Sequence, residues 1–157
     1  YQGNVIFRTV EQAMKDGLFS DAFVERAKKL TDISMYDVDQ FCFFPYGGND
    51  LADLTAGDES DILTLFELMD ASFERAARMT AINFGAILTH TGTGKNPTKP
   101  VCIAAEGTTF YKSKLFKGKL DYYVRSFLND KLGVYCEFVK ADNATLIGTA
   151  VAGLLNQ

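Results

Sequence analysis

The sequence predicts a helix-rich α/β fold whose last third is a β-α-β-α unit with two parallel strands. Three observations carry this. Through the first ninety or so positions the apolar residues recur at helical spacing. After "HTGTGKNPTKP" the pattern changes to short β-branched runs alternating with a helical stretch. The chain has 157 residues, of which 47% are apolar, enough to build one domain around a substantial core. We read residues 1–157 as a single domain fragment. Residues 1–57 form a helical subregion and loop, and 58–157 a long helix followed by the β-α-β-α unit.

The first helix is expected over Val5 to Lys15, with Val5, Ile6, Val10, Ala13 and Met14 apolar and Gly17 as its stop. Ser20 is placed to cap a second helix with Ala22, Phe23, Ala27 and Leu30 on its inner stripe. Ser34 and Asp37 have capping-box spacing, so a short helix follows to Phe41. "FFPYGGNDLADLTAGDES" then breaks regularity through Pro45, Gly47, Gly48 and Gly57, and reads as a long loop with room for one helical turn. From Ile62 the apolar positions Leu65, Phe66, Met69, Phe73, Ala76, Ala77, Thr80, Phe84 and Ile87 hold a 3.6 period for about seven turns. Asp58, Glu59 and Asp61 stand near its start, where the helix dipole favours anions. Its second half is rich in small residues (Ala76, Ala77, Ala81, Gly85, Ala86), which let another element approach closely. Val101 to Ala105 reads as a short buried strand, and Leu115 to Leu132 as an amphipathic helix ended by Gly133. Val134 to Val139 reads as a second strand, "KADNA" as a turn, and Thr145 to Leu155 as a last helix. Two strands joined by a helix of that length run parallel.

The formal charge of −4 argues against nucleic acid as the main partner. No apolar run approaches a membrane span. Three cysteines, none in CxxC spacing, read as reduced packing thiols of a cytoplasmic protein. The opening Tyr1-Gln2-Gly3-Asn4-Val5, with no Met before it, reads like the middle of something longer. Several tempting features have plainer readings. "GTGKN" around Lys95 lacks the earlier glycine of a phosphate loop, since position 89 is Thr89, and Asn96 replaces its Ser/Thr. His90 sits in a last helical turn. Asp37 and Asp39 are two apart and make a poor metal pair. Lys112, Lys114, Lys117 and Lys119 form either a solvated face or a lure for phosphates.

The chemistry points to the strand ends. Open parallel sheets bind ligands at the carboxyl ends of their strands. Here the first strand ends in Glu106-Gly107-Thr108-Thr109, and the second in Ala141-Asp142-Asn143-Ala144-Thr145. Gly107 lets a ribose or phosphate lie on bare backbone. Thr108 and Thr109 offer hydroxyls, and the start of the last helix offers N–H groups to an anion. The competing reading is an efficient strand-to-helix turn.

Five collinear segments resemble hexokinase, a sugar kinase family of the actin-like ATPase fold. "YQGNVIFRTVEQAMKDGLF" is similar to the family's Tyr-Leu-Gly-Glu helix and the turn after it, and "FFPYGGNDL" to a family loop. "RAARMTAINFGAIL" is close to the Arg-Ala-Ala-Arg-Leu-Ala-Ala helix. "IAAEGTTFYK" is similar to the adenosine motif Val-Asp-Gly-Ser-Leu-Tyr-Lys, and "ADNATLIGTAVAGL" to the terminal helix. The resemblance implies the C-terminal half of an actin-like/ribonuclease H-like ATPase domain. It places Gly107, Thr108 and Thr109 on one side of ATP, with Asp142, Asn143, Ala144 and Thr145 as the second wall. Glu106 stands for the family's Asp. Asn4 falls where a family glutamate holds sugar hydroxyls. Arg75 and Arg78 match family positions, and equally could be structural ion-pair partners. The substrates implied for the complete protein are ATP, with Mg²⁺ on the nucleotide, and a hexose such as glucose. No catalytic or metal residue is expected in this chain, because the family's catalytic Asp, sugar loops and phosphate loops lie upstream of the Tyr-Leu-Gly-Glu segment. The sheet would be completed by a missing N-terminal half or by a second copy. Two alternatives stay open: a non-catalytic actin-fold module for partner binding or regulation, and another sugar kinase of the same fold.

Overall fold

A computed structural model of the chain describes residues 1–140 and 144–155. Helices α1 (Gln2–Lys15), α2 (Asp21–Ala27), α3 (Met35–Phe43), α4 (Asp50–Thr55) and α5 (Glu59–Thr91) come first. Strand β1 (Val101–Ala104), α6 (Thr108–Lys112) and α7 (Phe116–Tyr123) follow, then π-helical turns over Val124–Leu132, β2 (Cys136–Val139) and α8 (Ala144–Leu155). The chain divides into two compact units inside α5. The first is Tyr1–Ala76 with Lys114–Phe116; the second is Ala77–Ser113 with the chain from Lys117 onward.

Local punctuation sets the first unit. The Ser20 hydroxyl accepts from the Phe23 N–H to start α2. Ser34 and Asp37 close a reciprocal capping box on α3. α4 arises inside the expected loop, because the Asn49 side chain accepts from the Ala52 N–H and caps it. The core gathers Ile6, Phe7 and Val10 of α1, Phe23 of α2, and Phe41 of α3, with Leu65, Met69 and Phe73 of α5. On α1, Phe7 is buried where the periodicity put Val5, which is 43% exposed. Gly3 is buried as well: a Cβ there would stand 2.2 Å from the Ile33 carbonyl oxygen. Asp61 stands in the first turn of α5, where the helix dipole favours it, and is 1% exposed. Its two carboxylate oxygens accept from the Ser20 N–H (2.9 Å) and hydroxyl (2.6 Å).

In the second unit the inner stripe of α5 continues as Ala77, Ala81 and Leu88, with Gly85 also buried. Ile87, assigned to the stripe from the sequence, is 58% exposed, because the buried positions step by four and the stripe drifts around the helix. Gly85 lies under the next helical segment: a Cβ would be 2.9 Å from Leu132 and 3.2 Å from Phe127. That segment is not the single α-helix the periodicity predicts; α7 gives way to π turns at Val124. The strands are parallel neighbours, paired Val101 with Cys136 through Ala104 with Val139. The first is not fully buried as expected. Each strand alternates half-buried and exposed residues, so one sheet face is open. Gly94, at φ +73°, is the reason the "GTGK" segment needs glycine. Its carbonyl accepts from the Tyr135 N–H at 2.8 Å, and a Cβ would meet the Tyr135 carbonyl oxygen at 2.8 Å. α8 is exposed at every residue from Thr145 to Leu155.

Candidate functional site at the paired strand ends

Because β1 and β2 are in parallel register, their carboxyl ends lie side by side, and the Ala105 N–H donates to the Val139 carbonyl at 2.9 Å. Beyond Ala105 the chain turns at Gly107, with φ 107° and ψ 151°, and opens α6 at Thr108. Only glycine adopts that φ without strain. A Cβ at Gly107 would meet nothing within 4 Å, so the backbone is open to an approaching group. Aromatic residues hold this turn on the sheet. The Tyr111 hydroxyl donates to the Ala105 carbonyl at 2.9 Å. Phe110 packs edge-on to Tyr111 at 4.8 Å and against Phe138 of β2 at 5.1 Å. Phe84 lies 5.8 Å from Phe138.

The second turn is tied to the first by Glu106. Its carboxylate accepts from the Thr145 hydroxyl at 2.6 Å and from the Thr145 N–H at 3.3 Å. The structure therefore brings together Glu106, Gly107 and Thr145, which are 39 positions apart at the closure. One N–H expected to face a ligand anion is thereby engaged by the chain's own carboxylate, at the end of α8 where the helix dipole favours it. Thr109 is half-buried, and its carbonyl accepts from the Ser113 N–H at 3.3 Å. Ala144 opens α8, while Asp142 and Asn143 lie outside the described residues. The Glu106–Thr145 link is a contact that sequence reasoning missed. Its only signal was an acid before Gly107 and a hydroxyl early in the last helix.

Asn4 belongs to the first unit. It is exposed on α1, beside a cavity of about 640 Å³ lined by Tyr1, Val5, Arg8, Thr9 and Gln12 of the same stretch. Lys114, Lys117 and Lys119 of the four clustered lysines are engaged within the chain. Lys117 pairs with Asp121 at 2.6 Å and stands over the Phe110 ring. Lys114 donates to the Cys42 carbonyl and stands over Phe43. Neither Arg75 nor Arg78 is a structural ion-pair partner among the described residues. Arg78 instead lies over Tyr123 at 6.0 Å. His90 is exposed in the last turn of α5. Burial pushes the Cys42 thiol up to about 11, with Asp39 adding to the rise and Lys114 opposing it; burial raises Cys136 too. Cys102 is exposed, so packing does not account for all three thiols. Among the described residues no group of three His, Cys, Asp or Glu could hold a metal ion, and no helix is long and apolar enough to cross a membrane.

These features define a parallel α/β unit with two joined turns at the carboxyl edge of its sheet, the edge at which such sheets take ligands. The hexokinase family model matches residues 1–155, and the chain belongs to the hexokinase family. That membership makes it a domain of a sugar-kinase family whose complete enzymes use ATP, Mg²⁺ and a hexose. No curated protein matches the chain, and no solved structure does.

Proposed function

We propose that this chain is the C-terminal portion of a cytoplasmic hexokinase, in the actin-like/ribonuclease H-like fold, and supplies the adenosine side of its ATP site. The observation that supports this best is the pair of strand-end turns joined by Glu106 and Thr145, with an open glycine backbone at Gly107. In this reading Gly107, Thr108 and Thr109 line one side of the nucleotide. Asp142, Asn143, Ala144 and Thr145 line the other. Glu106 orients the second turn by holding Thr145. The residues present fit such a group: bare backbone at Gly107 admits a flat ring or ribose, and the Thr109 and Thr145 hydroxyls can exchange hydrogen bonds with it. On a bound nucleotide, Mg²⁺ would supply charge neutralisation at the phosphates. Asn4 donates or accepts a hydrogen bond at a sugar hydroxyl.

Phosphoryl transfer to the hexose 6-hydroxyl needs a base beside that hydroxyl. The sequence holds no match to the family's catalytic Asp segment, so the chain alone does not phosphorylate glucose. A missing N-terminal half, or a second copy, covers the open sheet. The test is equilibrium titration of the 157-residue chain with a fluorescent adenosine nucleotide, competed by ATP. Binding that weakens at least about tenfold in Gly107→Val, whose side chain would cover the open backbone, supports the reading. Equal binding by Gly107→Val, or phosphorylation of glucose by the chain alone, contradicts it.

A further inference from the structure

Arg78 has no carboxylate partner, and neither does Lys131, among the described residues. Both line one cavity of about 400 Å³ inside the second unit. α5 contributes Arg78 and Ile82 to it, and the segment running from α7 into the π turns contributes the rest. Those lining residues step by four (Tyr122 to Ser126, Tyr123 to Phe127, Phe127 to Lys131) as well as by five. Tyr122 and Phe127 are five apart, and so are Ser126 and Lys131. Residues four apart share a helix face. The segment thus presents an aromatic wall and a cation on the same side.

The chemistry of the wall is specific. Tyr122, Tyr123, Phe127 and Ile82 supply an apolar, mostly aromatic surface. The Ser126 hydroxyl donates to the Tyr122 carbonyl at 2.8 Å, so it is spent on backbone. The remaining strong donors are the Arg78 guanidinium, held over the Tyr123 ring, and the Lys131 ammonium. Two cations without counter-charge beside aromatic rings fit an anion with a flat apolar body. We propose that this cavity binds a small aromatic anion, its carboxylate or phosphate held by Arg78 and Lys131 and its ring against Phe127 and Ile82.

The probe is 1-naphthyl phosphate, titrated calorimetrically into the 157-residue chain, with 1-naphthoate, neutral 1-naphthol and inorganic phosphate as separate arms. The expected result is that naphthyl phosphate or naphthoate binds at least roughly tenfold tighter than both naphthol and inorganic phosphate, and weakens with added salt. Which of the two binds more tightly identifies the head group. Arg78→Gln and Lys131→Gln each weaken the anion at least about fivefold and leave naphthol unchanged. Ile82→Glu, which sets an acid at the rim, abolishes anion binding. Arg78, Ile82 and Lys131 are all exposed, so thermal melts of the three variants should match the parent's. Undiminished anion binding in Arg78→Gln and Lys131→Gln, or no preference for the anions over naphthol, overturns the proposal.

Discussion

Asp61 shows how much a correct sequence reading of a single residue leaves out. The dipole placement says nothing of its burial or its partner: it is buried and takes two hydrogen bonds from Ser20, 41 positions earlier. Removing it leaves the Ser20 N–H and hydroxyl without their acceptor. Asp61→Ala should therefore cost about 1–3 kcal/mol in urea unfolding, and Asp61→Asn less. An unchanged midpoint for Asp61→Ala would contradict the role. The acid itself was legible; its partner was not, because nothing local links positions so distant. Cys42 carries a pH prediction. Its thiol ionises near 9.0 in the unfolded chain and near 11 when folded, so the folded state keeps its proton longer. That contribution is whole below pH 9 and is lost as pH rises toward 11. Stability should fall over that window by up to about 2 kcal/mol more in the parent than in Cys42→Ala. Parallel pH profiles for the two would rule it out.

At the scale of elements, the starts and stops written into a few adjacent residues were readable. Ser20, Ser34 with Asp37, Gly17 and Gly133 all act where the sequence places them, because capping is a matter of three or four neighbouring positions. The π turns were not readable, since Tyr123, Phe127 and Leu128 satisfy an α period equally well. Gly3 lies in the family-like opening segment, and its physical reason lies in packing: the Ile33 backbone crosses α1 at the point where a Cβ would sit. Gly3→Ala should destabilise the chain by about 1–3 kcal/mol, although alanine is the better helix former by about 1 kcal/mol. A thermal melt at or above the parent's would show that α1 shifts freely instead.

For the whole molecule, order and direction of elements were legible, and exposure was not. Periodicity predicts the long helix and the parallel pair, but it cannot report what covers a face. α8 displays Ile147, Val151, Leu154 and Leu155 at helical spacing with 58, 48, 71 and 79% exposure. Exposed apolar stripes associate. Sedimentation of the chain should show concentration-dependent self-association, relieved by Val151→Lys with Leu154→Lys; a parent chain that stays monomeric at high concentration would contradict this. The central claim, that joined strand-end turns receive adenosine, is tested most directly by mapping amide shifts of the ¹⁵N-labelled chain during titration with MgADP. The account predicts that saturable shifts centre on Gly107, Thr108, Thr109 and residues 142–145. Shifts centred anywhere else in the chain, or none at millimolar nucleotide, would contradict it.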